Sequence, residues 1–180
     1  MGGVFHQTFP LLADGMGSPY DHIWVWQADD EEAVLRAIYQ YFQNAWSVLK
    51  GKSTDLADLM AVGVGISRFD VPVLFSRSLI AGIASRSQLF ACYFKLKTID
   101  LSEVGVAICP GDPVLYPKTA NQLAKALGLP RKKQSGRRVW DLYDAEDFNA
   151  IETRTEAEVR DAVQIYDHLR ERLYLGESLP

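Results

Sequence analysis

The chain is poor in sulfur, with Cys92 and Cys109 its two cysteines in 180 residues. Two thiols cannot build a disulfide framework, and with three histidines they do not suggest a zinc site, so a reducing compartment is the default expectation. Long apolar runs are also missing, and none approaches the ~20 residues a membrane span needs. The N-terminus has neither a basic start nor a sustained apolar stretch. A signal peptide is therefore not expected, and a cytoplasmic protein without membrane association is. There is no internal repeat and no low-complexity tract. The formal net charge of −4 excludes a protein coated all over with positive charge, while leaving room for a local basic patch.

What is present is an ordinary globular balance, 48% hydrophobic and 23% charged. At this length a single domain over 1–180, with a core that needs no staples, is expected. Val4–Phe9 reads as a short strand, and His22–Gln27 alternates apolar and polar residues with the period of a second. Asp29 and Asp30 precede a helical pattern (Val34, Leu35, Ile38, Tyr39, Phe42), and acids there suit the positive end of a helix dipole. Leu59–Ile66 reads as a strand buried on both faces. Pro72 suits the first turn of a helix running to about Ala84. Phe90–Lys97 alternates, and either a strand or an irregular segment fits it. Lys118–Leu127 is amphipathic, with Gly128 and Pro130 as a stop. Trp140–Tyr143 suits a turn or short helix, and Glu156–Tyr174 a long helix with Val159, Val163, Tyr166, Leu169 and Leu173 on one stripe. Strands early, helices later and a buried central strand predict an α/β or α+β layered domain.

The chemistry concentrates at Gly63–Leu74, GVGISRFDVPVL. Asp70 stands just past a strand and at a helix start, where ligands collect in open α/β sheets. Spacing alone leaves two roles open for it, a cap for the first helical N–H groups or a carboxylate facing a ligand.

GVGISRFDVPVLFSRS is similar to the G-[FY]-N-x-x-x-F-D-x-P-x-L-x-x-R-[AS] pattern of the DEDD (DnaQ-like) exonucleases, most of all those related to the proofreading domain of family-B DNA polymerases. Gly63, Phe69, Asp70, Pro72, Leu74, Arg77 and Ser78 fall in place. Asp30–Leu35 with Tyr41-Phe42 resembles that family's first helix and the segment before it. Thr98-Ile99-Asp100-Leu101 resembles its "hDL" strand. Asn121–Pro130 with Lys132, Gly136-Arg137-Arg138-Val139 resembles its L-x-x-L-A-K-x-L-G-L-P-x-K-x-x-G-x-x-V segment, and Asp161-Ala162-Val163 its third acidic motif. The likeness runs through nearly the whole chain after about residue 22. It implies an RNase H-like α/β fold with a mixed central sheet flanked by helices. It also implies 3'–5' exonuclease chemistry on single-stranded DNA or RNA ends. Such hydrolysis uses two metal ions ~4 Å apart, one activating water and one bearing the leaving oxygen's charge. Mg²⁺ or Mn²⁺ would be held by carboxylates, here Asp70 and Asp161.

The first strand departs from the family's [VI]-F-D-x-E-T. Aligned on Val4-Phe5, His6 replaces the Asp and Thr8 the Glu. Neutral histidine suits Mn²⁺ better than Mg²⁺, so His6 is either a metal ligand or a structural residue. A second alignment puts the first motif at Asp29-Asp30-Glu31, about 40 residues before Asp70, in competition with the helix start. Gly65 replaces the family's Asn. Ala157 stands four residues before Asp161, where the family has a Tyr that orients water. Tyr143-x-x-x-Asp147 has the right spacing in the wrong element, and a loop or cap role is expected. These departures make a fold that binds without cutting the second expectation.

Arg131–Arg138 places five positive charges in eight residues. Lys132, Lys133, Arg137 and Arg138 are the candidate phosphate contacts, with a solvated loop as the other reading. Trp140 and Tyr143 either stack on bases or fill a core. Trp24 and Trp26 on one strand face would allow a homodimer or protein contact.

Overall fold

The computed structural model describes residues 2–6, 20–28, 30–51, 59–108, 118–130 and 138–175. Contacts divide the chain into two compact units, Met1–Ala61 with Ile66–Ile99, and Val62–Gly65 with Asp100–Pro180. Among the described residues, no helix is long and apolar enough to cross a membrane.

In the first unit, β1 (Gly2–His6) and β2 (Tyr20–Trp24) pair antiparallel, Gly2 opposite Trp24 and His6 opposite Tyr20. Both strands begin earlier than the sequence pattern predicts. After Trp24 the chain turns into one 3-10 turn, Val25–Gln27, so Trp24 and Trp26 do not share a strand face. Their rings still stack, 4.7 Å apart, but Trp24 is buried. The aromatic face expected to meet a partner is thus partly core.

Helix α1 (Glu31–Gly51) opens as its acids predict, with the Asp30 carboxylate accepting the Ala33 N–H at 2.8 Å. Its periodic residues Val34, Leu35, Ile38 and Ala45 are buried. Helices α2 (Asp70–Ile80) and α3 (Arg86–Tyr93) pack on α1 and on each other. Val71, Leu89, Cys92 and Tyr93 form the centre, with Tyr39 and Phe42 edge-on to the Tyr93 ring. The Trp46 indole N–H donates to the Cys92 carbonyl at 3.1 Å.

α2 stops at Ile80 rather than near Ala84, because Gly82 takes a left-handed φ of +66° that ends a helix. Residues 90–93 are helical, not a strand. Ser85 and Gln88 form a capping box, each side chain accepting the other's backbone N–H. That local signal outweighs the alternation.

β3 (Met60–Gly63) pairs in parallel with β4 (Lys97–Asp100), where Lys97 N–H donates to the Leu59 carbonyl at 3.0 Å. β3 is not buried on both faces as its composition predicts, since Met60 is 47% exposed. A sheet two strands wide leaves even an apolar strand with open sides. The described strands make two such pairs rather than one central sheet, so the fold is mixed α/β and mostly helical.

The second unit holds α4 (Leu101–Ile108), α5 (Ala120–Ala126), α6 (Arg138–Asp144) and α7 (Phe148–Leu175). α5 is framed as predicted, by a Thr119–Gln122 capping box and by Gly128 at φ +68°. α7 begins eight residues before Glu156, where Asp147 accepts the Ala150 N–H at 3.1 Å. Its deepest residues are Ile151, Ile165 and Leu169, and the expected stripe of Val159, Val163 and Tyr166 is half-buried.

Gly105 lies where α4 meets α5. A Cβ there would sit 2.3 Å from Leu123 Cδ2 and 3.0 Å from Lys118 Cβ, both on buried residues. Gly105→Ala gains about 1 kcal/mol of helix propensity. Overpacking of about 1–3 kcal/mol opposes it, and with contacts this short the overpacking wins. A lower urea midpoint than wild type is the expected outcome, and an unchanged or higher one contradicts the packing described.

Candidate functional site

The segment that links β3 to α2 is shaped by two local events. Gly65 takes φ +82°, a backbone that side-chain-bearing residues rarely adopt, which accounts for glycine at this position. Its N–H donates at 2.8 Å to Oδ1 of Asp100, a carboxylate 4% exposed at the end of β4. The same oxygen accepts the Ser102 N–H at 3.0 Å and the Ser102 hydroxyl at 2.6 Å. Asp100 therefore ties the end of β3 to the first turn of α4.

α2 then starts without a side-chain cap. Phe69 is the N-cap, and Asp70 is the first helical residue rather than the cap itself. Val73 N–H donates to the Phe69 carbonyl at 2.9 Å. Arg68, Phe69 and Asp70 are consecutive and exposed, Phe69 by 66%. A carboxylate at this end of a helix is favoured by the dipole.

The rest of the motif is absorbed by packing. Val71 is core, and Leu74 packs against that core. Ser78 is fully buried, with its hydroxyl 3.5 Å from the Tyr93 hydroxyl. Arg77 pairs with Glu31, its Nε donating to Oε1 at 2.8 Å and its Nη2 to Oε2, and so ties α2 to α1. With Asp30 capping and Glu31 paired, these two acids have structural work, and Asp29 lies outside the described residues.

The Arg77 hydrogen bond, reinforced by the guanidinium's charge, holds Glu31 below its ordinary pKa of 4.5. A carboxylate with a depressed folded pKa stabilises above its unfolded value, and that contribution disappears as pH falls through the folded one. Wild type should therefore exceed Arg77→Gln in urea midpoint above about pH 5, and the gap should close on further acidification. Both partners are largely exposed, so the gap is small. A gap that persists at the lowest pH at which the protein folds would count against the pair.

Asp161 is a half-buried residue of α7 in the second unit, whereas Asp70 belongs to the first. His6 lies on β1, opposite Tyr20. Among the described residues, no group of three or more His, Cys, Asp and Glu is arranged to hold a metal ion. Of the basic candidates, Arg138 is exposed at the start of α6, while Lys132, Lys133 and Arg137 lie outside the described residues.

No protein-family model, curated protein or solved structure matches the chain.

α7 carries a pair that sequence inspection passed over. Arg154, 8% exposed, donates through Nε and Nη2 to Glu158 Oε1 at 3.1 and 3.0 Å. Its i,i+4 spacing was the available signal, hidden because the helix was expected to start after Arg154. Asp147 caps α7, the role expected for the Asp of the Y-x-x-x-D spacing, while its Tyr143 lies on α6 and packs on Phe148. Trp140 is 72% exposed, so it does not fill a core.

Proposed function

We propose that the chain is a nucleic-acid-processing domain of the DEDD exonuclease type, RNase H-like in fold, which trims single-stranded DNA or RNA from the 3' end. The observation that carries this reading is the exposed Arg68-Phe69-Asp70 triplet at the start of α2. An exposed carboxylate beside a cation and an open aromatic ring suits a phosphodiester and its base.

Carboxylates are the donors that hard divalent ions take, so Asp70 and Asp161, one in each unit, are each by donor type a candidate ligand for Mg²⁺ or Mn²⁺. His6 fits Mn²⁺ only. Bound there, the metal would supply water activation and stabilisation of the leaving oxygen's charge. Phe69 would stack on the terminal base, and Arg68 would hold the phosphate. Arg138, with Lys132, Lys133 and Arg137, would contact the strand backbone.

A second reading has its own support. A buried guanidinium is fixed two turns before Asp161 on the same face of α7 and occupies Glu158. A carboxylate held by Arg154 is one less offered to a divalent cation on this face, and Ala157 offers nothing to orient water. On this reading the domain binds strand ends without cutting them.

One experiment separates the two. 5'-Labelled single-stranded DNA and RNA are incubated with the protein in Mg²⁺ or Mn²⁺, beside Asp70→Asn. A ladder of shortened products that Asp70→Asn abolishes supports hydrolysis. Binding without products from either protein supports the second reading, and neither binding nor products sinks both.

A further inference from the structure

α3 buries one face and leaves another open. Leu89, Cys92 and Tyr93 are core, but Phe90 is 53% exposed and Phe94, one turn on, 42%. Their rings stack at 5.4 Å with 20° between planes, and Phe75 from α2 meets Phe94 edge-on at 5.1 Å. Beside them is an open groove of about 760 Å³, lined by Phe75, Arg86, Ser87, Phe90 and Lys95 among others. Neighbouring exposed phenylalanines contribute little to folding, since each keeps much of its apolar surface in water.

The charge around the rings is one-sided. From Val71 to Ile99 there is no Asp or Glu, whereas Arg77, Arg86, Lys95 and Lys97 fall within that stretch of a chain whose net charge is −4. Arg77 is used by Glu31, but Arg86 and Lys95 line the groove. Arg86 lies one turn before Phe90, and Lys95 directly follows Phe94. The order along the face is thus cation, ring, ring, cation.

We propose that this face of α2 and α3 binds single-stranded nucleic acid, with bases stacking on Phe90 and Phe94 and phosphates meeting Arg86 and Lys95. Charge complementarity selects an acidic polymer, and the open rings select one whose every repeat carries both an anion and a π-face. Single strands meet both requirements. An acidic peptide meets the first at every residue and the second only at aromatic ones. Asp70 is not among the residues lining the groove, so binding there does not require hydrolysis.

The test is fluorescence anisotropy of fluorescein-labelled oligo-dT and oligo-U with full-length Asp70→Asn protein in EDTA, which removes cleavage from the readout. In that background, Phe90→Ala with Phe94→Ala should weaken binding about tenfold or more at fixed salt and leave the salt dependence unchanged. Arg86→Gln with Lys95→Gln should lower the slope of log affinity against log salt by about 1.4, at about 0.7 per lost phosphate contact. Circular dichroism checks folding. If the double phenylalanine variant unfolds, Phe90→Ala alone serves, because it leaves the Phe75–Phe94 contact in place. Two results overturn the proposal. One is wild-type binding by both double variants. The other is displacement of the oligonucleotide by polyglutamate with no effect of ring removal, which assigns the face to acidic protein. Ring-dependent binding alongside absent nuclease activity leaves this inference standing and removes only hydrolysis.

Discussion

Asp100→Ala should destabilise the protein by about 3–5 kcal/mol, the largest loss expected from any polar substitution discussed. One buried carboxylate oxygen accepts from Gly65 N–H, Ser102 N–H and the Ser102 hydroxyl. Hydrogen bonds to a charged acceptor are worth about 1.5–3 kcal/mol each. Alanine removes all three together and leaves backbone donors unpaired. Asp100→Asn keeps an oxygen in the same place but not its charge, so about 1–2 kcal/mol is expected. The ordering in urea denaturation should be wild type, then Asn, then Ala. Ser102→Ala should cost less in the Asp100→Ala background than in wild type, because its partner is already gone. Equal costs in both backgrounds would mean that the three bonds do not act together.

This network explains why Gly65 stands where the resembled family has an amide side chain. With φ at +82° the position favours glycine, and the bond that fixes the turn is made by the backbone N–H. The loop that presents Arg68, Phe69 and Asp70 is thus anchored at Gly65 through a backbone N–H.

Local signals in the sequence carried over well. Acids ahead of α1, Pro72 in the first turn of α2, and Gly128 after α5 act within a few residues, and each stands at or beside the boundary expected of it. The Ser85–Gln88 capping box is equally local and decides that 86–93 is helix; alternation in 90–97 concealed it. Asp100 could not be singled out in this way. A polar residue ending a strand looks like many others, and one of its partners lies 35 residues back in the chain. Burial of β3 was misjudged for a related reason. Composition reports what a strand could bury, while the width of the sheet sets what it does bury.

The candidate site divides along the same line. Arg77 and Ser78 are legible as members of a pattern, but only packing reveals that one ties α2 to α1 and the other lies under Tyr93. The exposed Phe90–Phe94 pair follows from the helical register of α3, which the alternating pattern obscured. Arg154–Glu158 needed the true start of α7, and a cap at Asp147 is easily missed when an acid-rich stretch offers several.

Asp70→Asn is expected to lower metal-dependent trimming about a hundredfold or more, if the domain hydrolyses its substrate. A ligated divalent ion contributes several kcal/mol to the phosphodiester transition state, and each 1.36 kcal/mol is tenfold in rate. Asn keeps the size of the side chain and removes the charge that would hold the ion. Because Asp70 is exposed whereas Asp100 is buried, Asp70→Asn should cost less stability than Asp100→Asn. Activity and stability therefore separate at this residue, which they do not at Asp100. Asp161→Asn should resemble Asp70→Asn in activity. Arg154→Met should raise the rate, or the affinity for Mn²⁺, if its hold on Glu158 is what keeps a divalent ion from α7. Trimming that survives both Asn substitutions would place the chemistry elsewhere. Trimming absent from wild type but gained in Arg154→Met would mark that buried cation as what silences the site.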